Sequence, residues 1–356
     1  MVYEHSDCSG RYKYLDVAKG ITLIFIMMGH SCGFPWGMDR YCTAYFVALF
    51  FVVSGYLQKS VRPDGAYICK RFRRIILPYF AYNLLIYIIY IVWKGFNSLS
   101  DALYAVAGIL YSTHCLYFPV GTEDNLFFFR IENDPTWFLT AFFCANIALL
   151  FYIKYGTKVR YKIAIFMLFA VITQVLYDCP IFLPWGMDRA FIGADFMIFG
   201  YEFRKIDWKK MNIKWMKYVG MVCLLILYKV LTDYNLGIGL STREYGCRGI
   251  FSVGLCLLIG IIGSVICMWG SQFISRILGI GTVFALIGKE SLAIMAMHLI
   301  IFRIYDWMLQ HKLPQGASNW YYWCFALSRI MAACVIIIGT AYIVRNIRSK
   351  RHRETA

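Results

Sequence analysis

Long apolar runs recur along this chain, and its charged residues gather in the short segments between them. Ten runs lie near the ~17–25 residues that a bilayer core requires. They fall at residues 15–33, 41–58, 75–93, 136–153, 162–179, 190–204, 218–236, 249–269, 283–304 and 320–344. The pattern predicts an all-α, polytopic membrane protein with about ten transmembrane helices in one bundle. The run at 190–204 is short and contains Asp195, and residues 101–118 are apolar enough for a re-entrant or interfacial helix. No long Pro/Ser-rich linker or low-complexity segment divides the chain. One membrane-embedded domain over residues 1–356 is therefore expected, with its core at about 11–345 and short tails.

The first run, YLDVAKGITLIFIMMGH from Tyr14 to His30, organises the rest. Between Lys19 and His30 it carries no ionisable group. Eleven residues at about 100° each make three turns plus roughly 20°, so on a helix the two share a face. At about 1.5 Å per residue they stand roughly 16 Å apart. A cation at one end and an imidazole most of the way across can hold a long ligand with an anionic head and a reactive tail. A snorkelling lysine and a packed histidine are the plainer alternatives, but ionisable groups inside membrane helices are functional by default.

Composition agrees with the pattern. Of 356 residues, 60% are hydrophobic and 16% charged, against about 45–50% and 25% in soluble domains. A net charge of +16 raises the question of nucleic acid, but its distribution answers otherwise. With the N-terminus inside, 24 of the 36 Lys+Arg fall in inside segments and 8 in outside ones. Lys19, Lys229, Lys289 and Arg329 lie within spans. The bias is the positive-inside signature, so both termini are expected in the cytoplasm, His30 toward the outer side, and a lipid bilayer, not nucleic acid, as partner. No cleavable signal peptide is evident in the polar MVYEHSDCSG start. The 13 cysteines form no Cys-x-x-Cys and are read as small buried apolar residues, with no metal site. Cys32, Cys42, Cys115, Cys179 and Cys247 fall near the outer side, where no disulfide pairing can be assigned.

Three further stretches carry chemistry. PWGMDR occurs at Pro35–Arg40 and again at Pro184–Arg189, each time ahead of a span with Phe-x-x-x-Gly-Tyr, Phe51 to Tyr56 and Phe196 to Tyr201. Both copies enter from the same side, which makes a parallel repeat. It is either a shared helix-entry turn or a pair of Trp/Asp/Arg loops around a polar substrate, and Trp36, Asp39, Arg40, Trp137, Asp188 and Arg189 are the acceptor-side candidates. KRFRRIILPY at Lys70–Tyr79 places Lys70, Arg71, Arg73 and Arg74 at the cytoplasmic start of the third span, with Pro78 in its first turn. The cluster is a positive-inside anchor or a phosphate site, for which the bidentate arginine fork is suited. In LIGKESLAIMAMHLIIF, Lys289 and Glu290 precede His298 in the ninth run, and His298 should lie at a depth comparable to His30.

These residues resemble the acyltransferase 3 family. The match runs through DVAKG…GH, FFVVSGY, KRFRRIILPY, TWFL, LPWGMD with FGY, and GKESLAIMAMH, in order, over about residues 11–345. The subgroup resembled looks like the fucose 4-O-acetylase-type sugar O-acetyltransferases. It implies a ten-helix enzyme of the plasma or bacterial inner membrane. Such an enzyme takes acetyl groups from cytoplasmic acetyl-CoA, a substrate and not a bound cofactor, and delivers them to a glycan or lipid-linked sugar. The family's Arg/Lys-x10-His motif falls on Lys19 and His30, its basic residue ahead of Leu-Pro-Tyr on Arg74, and its late histidine on His298. Lys19 stands where many members have Arg, and no acid follows Trp137–Leu139 where many members carry one.

On this reading CoA phosphates rest on Lys19, Lys70, Arg71, Arg73 and Arg74, and the thioester arrives near His30. A neutral imidazole can serve as general base or carry the acetyl group itself. Asp16, one turn before Lys19, can hold that lysine by an i,i+3 contact and joins His30 and His298 in the catalytic set. The competing class is a secondary transporter or flippase for a polar glycan. The one-sided repeat and the absence of paired Gly/Pro-interrupted spans speak against it.

Overall fold

The computed structural model describes residues 12–31, 37–59, 65–93, 98–112, 116–117, 126–127, 134–177, 179, 182–206, 214–246, 249–309 and 319–354. Among these, regular structure is helical except for two antiparallel two-residue ladders, Leu116–Tyr117 with Leu126–Phe127 and Ile238–Gly239 with Glu244–Tyr245. Every expected span is a helix: α1 Lys13–Gly29, α2 Asp39–Leu57, α3 Gly65–Trp93, α5 Trp137–Tyr155, α6 Val159–Tyr177, α7 Met187–Phe203, α8 Lys214–Tyr234, α9 Ser252–Ile274, α11 Ser291–Met308 and α12 Asn319–Glu354. The apolar stretch at 101–118 supplies α4, Leu99–Tyr111. Among the described residues, seven helices are long and apolar enough to cross a membrane. At 17 residues each, α1 and α7 measure about 26 Å, the lower end of what a bilayer needs.

Three boundaries differ from expectation. The third helix begins ten residues early, and Ala66, Lys70, Arg71, Arg73 and Arg74 in the added segment are good helix formers. Pro78 therefore lies inside α3, not in its first turn, where it removes one backbone hydrogen bond. The ninth run is two helices, α10 Ile280–Lys289 and α11, divided at Glu290. The last helix continues ten residues past its apolar run, carried by its basic tail.

Cα packing groups the chain into two compact units. The first covers Thr43–Ile266. At its centre lies α7, most of whose residues are buried, Asp188, Arg189 and Asp195 among them. The repeated Phe-x-x-x-Gly-Tyr explains the packing. A Cβ on Gly55 would collide with the Met197 backbone, and one on Gly200 with the Val52 backbone. The four positions form a reciprocal set, so α2 and α7 cross where each has its repeat glycine, as small residues allow between membrane helices. By contrast, α3 and α6 leave Leu77, Leu84, Val92, Ile163, Val171 and Val175 exposed, the apolar surface a lipid-facing helix presents.

The second unit covers Val2–Cys42 and Cys267–Ala356. Here α1 and α10 meet backbone to backbone. A Cβ on Gly20 would strike the Phe284 carbonyl, and one on Gly288 the Asp16 carbonyl. On the next face, Thr22 lies 3.8 Å from the Cys267 sulfur. Glu290, at the α10–α11 break, pairs with Arg345 of α12. Cys42 and Cys179 are free thiols, while Cys32, Cys115 and Cys247 lie outside the described residues.

Candidate active site

Both ends of α1 carry chemistry. At its start the Lys19 ammonium sits 2.7 Å from Asp16 Oδ1, the i,i+3 contact expected from the spacing. Asp16 is buried and Lys19 partly so. Asp16 lies 14 positions before His30, about 21 Å along the axis, so the structure places it with the lysine and not with the histidines. At its far end α1 stops at Gly29, and His30 caps it, its N–H donating to the Ile26 carbonyl. His30 is exposed, whereas His298 in α11 is fully buried. Their ring centroids are 5.4 Å apart, so the two histidines expected at one depth do meet. His298 Nδ1 stands 2.8 Å from the Ile294 carbonyl and 3.1 Å from that of Met295. Two carbonyl acceptors assign the proton to Nδ1 and make Nε2 the basic nitrogen.

Around this pair lies a charged group on α11 and α12. Arg329 Nη2 pairs with Asp306 Oδ2 at 2.9 Å, and Nη1 points to the Ser31 carbonyl at 3.5 Å. The guanidinium lies over the Phe302 ring, 4.6 Å from its centroid. Phe302 in turn meets His298 edge-on at 5.7 Å.

In the first unit, Lys70, Arg73 and Arg74 are exposed on α3. Their i, i+3, i+4 spacing puts them on one face. Arg71 is turned aside: its Nε donates to Tyr67 Oη and its Nη2 to Gln58 Oε1, each at 2.7 Å.

The acceptor-side candidates separate by depth. Asp39 and Arg40 open α2 and are exposed, while Trp36 lies outside the described residues. Trp137, Asp188 and Arg189 are buried. Asp188 takes Arg189 Nε at 3.4 Å on one oxygen and faces Arg243 Nε at 3.5 Å with the other. Arg189 donates to the Ser241 carbonyl at 2.7 Å and lies over Trp137, 4.5 Å from the ring. Arg243 reaches the Leu176 and Cys179 carbonyls. Tyr245 closes the group, and burial with Asp188 nearby holds its phenol neutral, far above its ordinary range. The turn into α7 makes this possible, since Trp185 and Gly186 are both left-handed. Gly37 has the same sign of φ at the matching position of the first copy.

An acyltransferase domain family model matches residues 12–339. The chain belongs to the acyltransferase 3 family. Neither the curated proteins nor the solved structures compared with it give a match. Family membership makes the chain an acyltransferase and decides against the transporter reading. It also places both ends of α1 and His298 inside one acyltransferase domain.

Two features of this acyltransferase were missed as site residues in the sequence. Arg329 was visible only as one of four cations within spans, and nothing in the sequence indicates that it reaches Ser31. In the sequence Asp195 is visible only as a carboxylate inside a short run. It is fully buried in α7, and among the described residues neither of its carboxyl oxygens has a hydrogen-bond partner. An ionisable residue inside a run is the signal that points to both.

Proposed function

We propose that this acyltransferase moves an acetyl group from cytoplasmic acetyl-CoA to a hydroxyl of a cell-surface glycan or lipid-linked sugar. The observation that carries the reading is the meeting of His30 and His298 at the far end of the helix that holds the Asp16–Lys19 pair at its start. The roughly 16 Å between Lys19 and His30 suits a long carrier with a phosphate end and a thioester end. Lys19 in one unit, and Lys70, Arg73 and Arg74 in the other, each offer charge to phosphate, and Arg71, held by Gln58 and Tyr67, adds to the latter. The positive-inside bias places them in the cytoplasm, with both termini.

His30 is the reacting imidazole because it is exposed, and buried His298 supports it. As base, it takes the proton of the acceptor hydroxyl. The oxygen attacks the thioester carbonyl, the C–S bond breaks, and the departing thiolate recovers that proton. As acyl carrier, its imidazole nitrogen attacks the thioester carbonyl, the C–S bond breaks and CoA leaves as the thiol with the imidazole proton; the acceptor hydroxyl then attacks the acetyl-imidazole, the C–N bond breaks and the imidazole recovers the hydroxyl proton. Asp39 and Arg40 meet the acceptor at the surface. Asp188 and Arg189 act indirectly, by fixing Trp137 and the 238–245 hairpin.

The test is binding of labelled acetyl-CoA to the purified protein in detergent, with CoA as competitor, followed by transfer in His30→Ala. Donor affinity should persist and transfer should fall by about 10²–10⁴-fold. A labelled histidine trapped without acceptor identifies the carrier route. Wild-type transfer by a folded His30→Ala protein would end the assignment.

A further inference from the structure

A cation inside a membrane helix is costly unless something holds it, and Arg329 is held by a carboxylate, a carbonyl and two rings. On α11, Phe302, Tyr305 and Asp306 face Phe325, Ser328 and Arg329 of α12. Tyr305 Oη donates to Ser328 Oγ at 2.8 Å, the two phenyl-bearing positions flank the guanidinium, and Asp306 takes one edge of the fork. The other edge reaches the Ser31 carbonyl, one residue beyond His30. Phe302 carries the contact on to His298, and His298 to His30. The contacts form a closed circuit: His30, Ser31, Arg329, Phe302, His298 and back to His30.

Such a circuit has a specific consequence. His30 ends α1 with its N–H on the Ile26 carbonyl, and the Ser31 N–H closes the last turn on the Met28 carbonyl. The Ser31 carbonyl leads the chain out of that turn, so what grips it bears on the position of His30 relative to His298. A planar guanidinium can hold a carbonyl and a carboxylate at once, and Asp306 fixes its orientation. We propose that Arg329, aligned by Asp306, is a positioning residue that holds His30 in working register with His298. The inference rests on the reading that this histidine pair carries the transfer.

The experiment uses the full chain in lipid nanodiscs with labelled acetyl-CoA and a pool of methyl glycosides as acceptor probe, and follows CoA release. In Arg329→Gln and Arg329→Lys, acetyl-CoA affinity and glycoside KM should stay within about threefold. The kcat should fall on the order of 10–100-fold, the range expected when reacting groups are displaced by about 1 Å. Asp306→Asn should move the same way, and Asp306→Glu should recover part of the loss. Because Arg329 acts through His30, His30→Ala/Arg329→Gln should be no slower than His30→Ala alone. An unchanged kcat, a further loss in the double variant, or loss of acetyl-CoA binding together with kcat would each overturn the proposal. If the single variants do not fold, Asp306→Asn/Arg329→Gln leaves no lone buried charge and carries the same expectations. Failure of that variant to fold would make the pair a structural staple and reject the proposal. Wild-type protein that releases no CoA would instead remove the transfer reading itself, and the positioning role with it.

Discussion

His30 and Arg189 show how differently two residues of similar sequence prominence are used. His30 is exposed at a helix end beside a buried partner, a place where a side chain can meet a ligand. Arg189 is the largest fully buried side chain among the described residues, and its contacts include a carboxylate, a carbonyl and two rings. Removing one member of a buried charge pair leaves the other uncompensated, at a cost of about 3–5 kcal/mol. Asp188→Ala or Arg189→Ala should therefore lower thermal stability and yield before any change in acceptor use. Thermal unfolding in detergent checks this, and a stable Asp188→Ala protein with only acceptor KM raised would return these residues to the substrate. The exposed α3 cations behave oppositely. Arg74→Ala should leave stability unchanged and weaken acetyl-CoA binding about 10–100-fold, since a charge-assisted bond contributes roughly 1.5–3 kcal/mol. Dephospho-CoA should discriminate less between wild type and variant. Equal donor affinity in the two proteins would leave Arg74 as a membrane anchor.

Among the elements, the two backbone crossings decide most. Gly55 and Gly200 bring α2 against α7, and Gly20 and Gly288 bring α1 against α10. An added methyl at any of the four meets backbone atoms, which cannot rotate away. Overpacking of this kind costs typically 1–3 kcal/mol. Gly288→Ala has a second effect, because the carbonyl it would displace belongs to Asp16, the partner of Lys19. Acetyl-CoA affinity should therefore fall in Gly288→Ala but hold in Gly200→Ala at matched loss of stability. Equal affinity in both would separate the α1–α10 crossing from donor binding.

At the scale of the whole molecule, the charge distribution sets orientation. Single cysteines at Lys59 and Asp39, the two ends of α2, should label from opposite sides of sealed vesicles. Labelling from one side would overturn the cytoplasmic placement of the basic segments and of the donor site.

Span-length apolar runs determined the helices, because a bilayer leaves the backbone no other way to satisfy its polar groups. The eleven-residue interval from Lys19 to His30 likewise fixed a shared face, because helical angle and rise are local quantities. Six ordered motifs were enough to point to the family. Other features needed the third dimension. The split at Glu290 lies inside a continuous apolar run, and the fit of Gly288 against Asp16 appears only once α1 and α10 cross. Asp188 and Arg189 read the same in the chain as Asp39 and Arg40, since the hexapeptide is identical. Only the surrounding helices and the hairpin bury one copy at its charged end and leave the other exposed. Arg329 lies 298 residues from Ser31, and a contact at that separation has no local signature. Sequence patterning specifies what each segment is, whereas burial and partnership are properties of packing between segments and arise only when the chain is folded.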